Sequence, residues 1–392
     1  MNLLIDQISK LSRPNSDELE VTTIGVGGFE GESIIIHFGD GKWGVIDSCK
    51  SKDCENLPLM YLTTLGVELN DVVIVVCTHW HSDHIDGLSE VLKACPNAKF
   101  YYPIVGQKNN LLKYLIQGDK AQGKSSVWTE FLTCLNTAGR ARTNYGNLDR
   151  VVYDQGNGTQ LIALSPSDKM LDEMHKILAK YDAKNSDLTK INETVITPNM
   201  CSTALILSTP DTSILLGADL EANRNKKKDI RVCVGECGTR WEKGWCNVVK
   251  KSAVFPTRKA SYFKLPHHSS KTGYCDEIWT NHIIQSAISV STVFVNNAGI
   301  KLPKKDMLVI YRDLVSEMYL TSSGPKKKEK SIGNGKSKLD QNKSDNLKSI
   351  AVMNEEKGII CSRKKPNSPW QTTLLGTAVP VNDAFIKQYQ DN

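Results

Sequence analysis

The chain has 392 residues, of which 40% are hydrophobic and 23% charged, a balance typical of a globular protein with a full core. No apolar run approaches the roughly 20 residues needed to cross a bilayer. The N-terminal segment MNLLIDQISKLSRP lacks the basic lead and the cleavage site of a secretory signal. We therefore expect a water-soluble protein of the cytoplasm that has no membrane partner.

The charge and the cysteines narrow the classes of partner and site. The formal net charge of +6 is uneven, with lysine clusters such as 226–228 and 326–328. Such clusters attract polyanions, although solvated loop lysines give the same pattern. The eleven cysteines are an odd number without a framework, which favours reduced thiols. Cys233, Cys237 and Cys246 resemble part of a zinc knuckle, but their irregular spacing and the missing fourth ligand favour free thiols.

The first half of the chain predicts a sheet that leads into a buried strand. Residues 21–49 alternate β-rich runs with glycine turns, which indicates a β-meander. The nearly continuous apolar run DVVIVVCT is typical of a strand buried on both faces. SEVLKACP predicts a helix and KFYYPIV a further strand. Residues 107–150 predict a polar, largely helical, basic insertion that could form a lid.

The second half predicts more strands and a change of composition near its end. Strands are expected in TQLIALSPSD, CSTALILST, TSILLGAD and SYFKLPHHSS, with a second insertion at 221–250. Residues 322–349 are too polar to bury a core and predict a flexible loop rich in Lys, Ser and Gly. We expect one domain over 1–321, and C-terminal strands within 350–392 that pack back on it.

The segment that follows the buried strand is the most specific in the sequence. It contains His79, His81, Asp83 and His84 within six positions. Imidazole nitrogens and carboxylate oxygens are ligands suited to zinc or manganese, and a short loop fixed at a strand end can aim them at two adjacent ions. Five of the chain's eight histidines lie in this motif or in the pair His267-His268, which argues against isolated structural histidines.

This HxHxDH loop after a buried strand resembles the signature of the metallo-β-lactamase superfamily. The resemblance implies an αβ/βα four-layer sandwich with helical and basic insertions, in which 1–321 is the catalytic domain. It implies two divalent metal ions, Zn²⁺ or Mn²⁺. Asp47, in WGVIDSC, matches the aspartate that supports the metal loop without contacting the ions. Asp219, in LLGAD, matches the bridging carboxylate, and either His267 or His268 matches the late histidine ligand; we assign His267.

The sequence looks most like the branch that contains the hydrolase domain of the bacterial DNA-uptake channel, and it departs from the superfamily at one point. A histidine ligand usually lies between the HxHxDH loop and the bridging aspartate, yet the only histidine there is His175, in a helical-looking segment. Asn199 or Ser202 could supply an oxygen or hold a water in its place. The second ion, at Asp83, His84, Asp219 and the late histidine, has a full set of ligands.

Two adjacent ions can activate a bridging water, which suits hydrolysis. Asp83 is expected to be both a ligand and a partner of the attacking water, and His268 is expected to stabilise a developing oxyanion or protonate the leaving group. His268 could equally support the site from behind the ligands. Ser269 and Lys271 follow directly and could contact a phosphate.

The substrate is the least specified feature, because this fold hosts many hydrolytic reactions. The basic insertions and the resemblance to the DNA-uptake branch favour a nuclease or phosphodiesterase acting on nucleic acid or a nucleotide. The alternatives are a hydrolase of a small ester, lactone or thioester, and a metal-binding regulatory module with little catalysis. The resemblance also implies an effector role in antiviral defence, with a protein partner from the same defence module.

Overall fold

A computed structural model describes residues 3–27, 31–103, 126–173, 176, 198–222, 244–255, 259–295, 301–323 and 356–389. In chain order, the strands of these ranges are β1 (Leu19–Gly27), β2 (Glu32–Gly39), β3 (Lys42–Ile46), β4 (Val72–Val76), β5 (Lys99–Tyr102), β6 (Thr143–Tyr145), β7 (Arg150–Asp154), β8 (Gln160–Ala163), β9 (Leu205–Ser208), β10 (Ser213–Leu216), β11 (Ala260–Lys264), β12 (Ile283–Ser291), β13 (Phe294–Val295), β14 (Lys301–Leu302), β15 (Glu317–Leu320), β16 (Glu356–Lys364), β17 (Gln371–Gly376) and β18 (Val379–Pro380). The α-helices are α1 (Leu3–Ser9), α2 (Leu57–Thr64), α3 (Ser82–Ile85), α4 (Leu88–Ala94), α5 (Ser126–Arg142), α6 (Gly244–Lys251), α7 (Asp276–His282), α8 (Lys305–Arg312) and α9 (Asp383–Gln388).

Two eight-stranded sheets make up the body of the fold. The first has the order β17-β16-β1-β2-β3-β4-β5-β6, and the second has the order β18-β15-β12-β11-β10-β9-β8-β7. Side chains such as Ile36, Val76 and Leu207 pack between the sheets. Helices α1, α2, α4 and α5 cover the outer face of the first sheet, and α6 to α9 cover that of the second. This arrangement confirms the predicted αβ/βα four-layer sandwich.

Parallel pairing brings several strand ends to one edge. In the first sheet β3 and β4 are parallel, and Ile46 lies opposite Val76, so residues 47 and 77–78 leave the sheet side by side. In the second sheet β10, β11 and β12 are parallel, with Leu216 opposite Lys264 and Lys264 opposite Val290. The segments that follow these strands therefore meet at one edge, where α/β proteins commonly place their sites.

The C-terminal segment contributes a strand beside the first strand of the chain. Strand β16 pairs with β1 along its whole length, and Gly25 lies opposite Gly358. A Cβ atom built on Gly358 would lie 1.6 Å from the Thr321 carbonyl oxygen, so this position requires glycine. The two glycines let the segment after β15 cross closely over the first sheet.

Several predicted segments lie partly outside the described residues. The described part of the 107–150 insertion contains α5 and β6, and that of the 221–250 insertion contains α6. His175, Cys233, Cys237 and residues 324–349 of the predicted 322–349 loop are outside the described ranges. Among the described helices, none has the length and apolar character needed to span a bilayer.

Candidate metal centre

The HxHxDH loop is held at the end of β4 by the residue that precedes its first histidine. Thr78 donates from its backbone N to Asp47 Oδ1 at 2.7 Å and from its hydroxyl to Asp47 Oδ2 at 2.6 Å. Helix α3 then begins directly after His81, which turns Asp83 and His84 inward and buries both. The loop therefore points its side chains toward the edge at which β10 to β12 end.

Four buried side chains converge where the two sheets meet. The ligand atoms of Asp83, His84, Asp219 and His268 all lie within 4.8 Å of one another. His84 Nε2 is 3.4 Å from both Asp83 Oδ2 and Asp219 Oδ1, and His268 Nε2 is 3.2 Å from Asp83 Oδ2. Ligand atoms about 2.0–2.2 Å from a tetrahedral ion lie roughly 3.3–3.6 Å apart. These separations fit one divalent ion.

A second group shares one member with the first. His79, His81 and Asp219 also have ligand atoms within 4.8 Å of one another. His79 Nε2 lies 3.1 Å from His81 Nδ1 and 3.9 Å from Asp219 Oδ2. Because Asp219 offers one oxygen to each group, it is placed to bridge two ions.

The pattern of unpaired atoms also fits cations. His84 Nε2 and Asp219 Oδ1 are buried and have no hydrogen-bond partner within the described part of the chain. Leaving such atoms unpaired in the interior costs free energy, and a divalent ion between them would satisfy both. The donor set of imidazoles and carboxylates suits Zn²⁺ or Mn²⁺.

The ionisation of the cluster is set by its own charges. Burial would raise the pKa of Asp83 and Asp219, but the neighbouring imidazoles, His84 first, outweigh it and lower the pKa of both carboxyls below the usual range. Burial lowers the pKa of His79 and His81. Carboxylates that are ionised and imidazoles that are neutral are the forms that bind metals. For His84 burial lowers the pKa, but the neighbouring carboxylates, Asp83 first, outweigh it and raise the pKa, so His84 would give up a proton to an ion.

Asp47 orients two of these histidines. His84 Nδ1 donates to Asp47 Oδ2 at 2.7 Å, which leaves His84 Nε2 facing Asp83 and Asp219. His79 Nδ1 lies 3.0 Å from the Thr78 hydroxyl, which itself donates to Asp47. Asp47 adopts a left-handed backbone with φ of 58°, an unfavourable conformation that often marks a functional site. The structure thus places Asp47 behind these histidines, and its support of bound ions stays a prediction.

The positions of His267 and His268 differ from those that their assigned roles require. His268 belongs to the four-residue group, whereas His267 lies outside both groups, with Nε2 at 4.0 Å from Asp219 Oδ2. His267 Nδ1 lies 2.9 Å from Thr272 Oγ1 and 3.2 Å from Glu221 Oε1, and its side chain is 20% exposed. The geometry therefore favours His268 over His267 as the ligand, and the roles of the two histidines stay predictions. The cause is local, because residues 267 to 269 are consecutively left-handed and turn His268, not His267, inward.

Asn199 and Ser202 occupy the region from which the usual histidine is missing. The Ser202 hydroxyl accepts from the backbone N of Asp219 at 3.1 Å and lies 3.4 Å from His79 Nδ1. Asn199 Nδ2 lies 3.2 Å from His267 Nε2, and Asn199 Oδ1 is buried with no hydrogen-bond partner in the described ranges. Ser202 therefore supports Asp219 from behind, while Asn199 has an oxygen free for an ion or a water.

Ser269 and Lys271, the two residues predicted to contact a phosphate, differ in their exposure. Ser269 is fully buried and donates to Ser291 Oγ at 2.7 Å, so its hydroxyl is turned into the protein and away from any substrate. Lys271 is exposed, four residues beyond His267 in the chain. This placement argues against a phosphate contact by Ser269, and both calls stay predictions.

Three further residues at this edge are not evident from sequence patterns. Thr292 Oγ1 lies 2.8 Å from His268 Nδ1, and Glu32 Oε2 accepts from the Thr292 hydroxyl and lies 2.7 Å from Lys264 Nζ. The only signal in the sequence is a charged residue inside an otherwise apolar strand, as in SYFKL. Such a residue does not reveal its partner, which lies in another sheet.

Comparison with known proteins agrees with the motif. Residues 26–119, which contain the whole HxHxDH loop, match the sequence model of the metallo-beta-lactamase superfamily. No curated protein sequence matches the chain.

Likenesses to solved structures are distant. The metallo-beta-lactamase fold protein YhfI from Bacillus subtilis shares 12% identity over 63% of this chain and 70% of its own, with a TM-score of 0.30. AbOPH, a hydrolase in the beta lactamase superfamily, shares 14% over 54% and 75%, with a TM-score of 0.34. AidC, a dizinc quorum-quenching lactonase, shares 12% over 48% and 55%, with a TM-score of 0.29. These values are too low to bear on the substrate.

The matched segment and the two facing sheets agree with the metallo-β-lactamase fold. His79, His81, Asp83 and His84 come from the matched segment, and Asp219 closes the cluster from the second sheet. The chain is a metallo-β-lactamase-fold protein.

Proposed function

We propose that the protein is a metal-dependent hydrolase of phosphodiesters, acting on nucleic acid or a nucleotide. The observation that carries the proposal is the sharing of Asp219 by two groups of potential ligands, one with His79 and His81, the other with Asp83, His84 and His268. A pair of divalent ions supplies an activated water and stabilises charge on attacking and leaving oxygens. That chemistry suits hydrolysis of a phosphodiester, in which both the attacking oxygen and the leaving oxygen carry negative charge.

The residues around the ions have separate tasks in this proposal. Asp83 would help to hold one ion and would accept a hydrogen bond from the attacking water. His267 takes the role first assigned to His268. Burial lowers the pKa of His267, but the carboxylates of Asp219 and Glu221 outweigh it and raise the pKa above its usual value. His267 is partly exposed and would donate a hydrogen bond from its ring to a phosphate oxygen or a leaving group.

The positive charge favours a polyanion over a small neutral ester. The net charge is +6, and Lys271 is exposed four residues beyond His267 in the chain. Electrostatic attraction to phosphates would make binding of a polymer strongly dependent on salt. Degradation of nucleic acid as an antiviral effector, together with a protein partner, is the cellular role that we infer from this substrate class.

The test is hydrolysis by metal-loaded protein across substrate classes. The substrates are bis(p-nitrophenyl) phosphate, supercoiled plasmid, single-stranded DNA, RNA, a homoserine lactone and a thioester, each with Zn²⁺ or Mn²⁺. Asp219→Asn is the inactive variant, and Asp168→Asn, at an exposed aspartate, is the matched control.

Phosphodiester cleavage that is lost only in Asp219→Asn supports the proposal. Cleavage of the lactone or the thioester alone would replace the phosphodiester by a small ester substrate. Binding of metal without hydrolysis of any substrate would favour the regulatory module.

A further inference from the structure

We propose that Thr292, Glu32 and Lys264 form a relay that positions His268 as a metal ligand. The relay rests on the metal-binding part of the proposed function and is independent of the substrate. It assigns a task to three buried residues that contact no ligand atom of an ion themselves.

The order of donors and acceptors fixes the imidazole. The carboxylate of Glu32 can only accept, so the single hydroxyl proton of Thr292 points to it. The Thr292 oxygen then accepts from His268, whose Nδ1 lies 2.8 Å away. With its proton on Nδ1, His268 has a lone pair on Nε2, the atom that lies 3.2 Å from Asp83 Oδ2. The imidazole thereby has the tautomer that a metal requires.

The buried charge of Glu32 has a dedicated partner. Lys264 Nζ lies 2.7 Å from Glu32 Oε2 and donates to the Leu265 carbonyl oxygen at 3.1 Å, and both side chains of the pair are essentially unexposed. Burying such a pair costs free energy, and apolar side chains of similar volume usually stabilise a fold as well or better. A structural role alone therefore gives little reason for the buried pair. A role of Glu32 as the charged acceptor of the Thr292 hydroxyl gives such a reason.

The relay also links the two sheets at the metal edge. Glu32 is the first residue of β2 in the first sheet, Lys264 is the last residue of β11 in the second, and Thr292 directly follows β12. The ring of Phe294 stacks on that of His268, with centroids 4.9 Å apart and planes inclined by 21°. Stacking restricts the ring plane while the relay sets its rotation, so His268 is fixed in both respects.

The test compares two substitutions at Thr292. Thr292→Val keeps the shape of the side chain and removes the hydroxyl, whereas Thr292→Ser keeps the hydroxyl. Affinity and stoichiometry for Zn²⁺ and Mn²⁺ are measured by competition with a chromophoric chelator, and the melting temperature of the metal-free protein is measured in parallel. We expect Thr292→Val to weaken one of two bound ions about 10–100-fold, as loss of a supporting partner typically does, and Thr292→Ser to restore most of the affinity.

Glu32→Gln is the second variant, since it keeps the acceptor and removes its charge. We expect it to weaken the same ion by a smaller factor. Wild-type affinity in Thr292→Val, or equal losses in Thr292→Val and Thr292→Ser, would overturn the relay. Failure of both Thr292→Val and Glu32→Gln to fold would also overturn it, because the residues would then serve the fold and not the ligand. If the wild-type protein binds no metal, the metal-dependent function itself fails, which distinguishes the two proposals.

Discussion

The two halves of the metal centre are held in different ways. The early half, His79 to His84, comes from one short loop, and its support, Asp47, ends the strand next to β4. The late half consists of Asp219 and His268, which follow the ends of two strands. His268 contacts Thr292, and Thr292 in turn contacts Glu32 of the other sheet. The early half is therefore built by local geometry, and the late half forms only when the two sheets have packed together.

The substitution with the largest expected effect removes the residue that joins the halves. Asp219→Asn should abolish binding of both ions and lower hydrolysis by about 10³-fold, since each ion contributes several kcal/mol of transition-state stabilisation. Metal content after dialysis and initial rates check this, with Asp168→Asn as control. Retention of one tightly bound ion would show that the halves bind independently.

Substitutions of the two late histidines should change different measured quantities, the metal content for one and kcat for the other. His268→Gln should reduce the metal content from two ions to one, because His268 lies within the four-residue group. His267→Gln should leave the metal content unchanged and lower kcat by roughly 10²-fold, as loss of a hydrogen bond to a developing charge commonly does. Metal analysis together with kcat and KM distinguishes the two. The reverse pattern would restore the original assignment of His267 as the ligand.

Asp47→Asn should weaken the binding of both ions, whereas Thr292→Val should weaken the binding of one. Asp47 supports His84 directly and His79 through Thr78, and these two histidines belong to different ligand groups. We expect a loss of about 10–100-fold in affinity for each ion. Competition titrations of the two variants, run side by side, measure whether the early half has one shared support. A loss confined to one ion in Asp47→Asn would contradict the comparison.

The smallest effect concerns the end of β2 that is far from Glu32. His37 donates from Nδ1 to the Glu18 carbonyl oxygen at 2.7 Å and accepts at Nε2 from Gly41 N at 3.2 Å, which requires the neutral ring, and burial lowers its pKa. A lowered folded-state pKa gives stability that is present above the unfolded value of about 6.5 and lost as the pH falls below it. Urea unfolding of metal-free protein is measured at pH 7.5 and 5.5. The free energy of unfolding should fall more between these pH values for wild type than for His37→Gln. Equal losses would assign the acid sensitivity to other groups.

The sequence predicts the fold class, which is confirmed, and a resemblance to the metallo-β-lactamase superfamily, whose sequence model matches residues 26–119. The early half of the site was predictable because its four residues and their spacing lie within one loop. The order of His267 and His268 was not predictable, because it depends on three consecutive left-handed residues that no side-chain pattern announces. Glu32 and Thr292 were missed because they are 260 positions apart and meet only through sheet packing. The roles of the individual site residues stay predictions that the experiments above decide.

The pairing of β1 with β16 has a consequence for synthesis on the ribosome. Strand β1 leaves the exit tunnel well before its neighbour on one side, β16, which follows more than three hundred residues later. At ordinary elongation rates that delay is on the order of tens of seconds, during which one edge of β1 has no strand beside it. Exposed edges invite pairing with other chains. The nascent protein is therefore expected to be most prone to aggregation, and most dependent on chaperones, until β16 emerges.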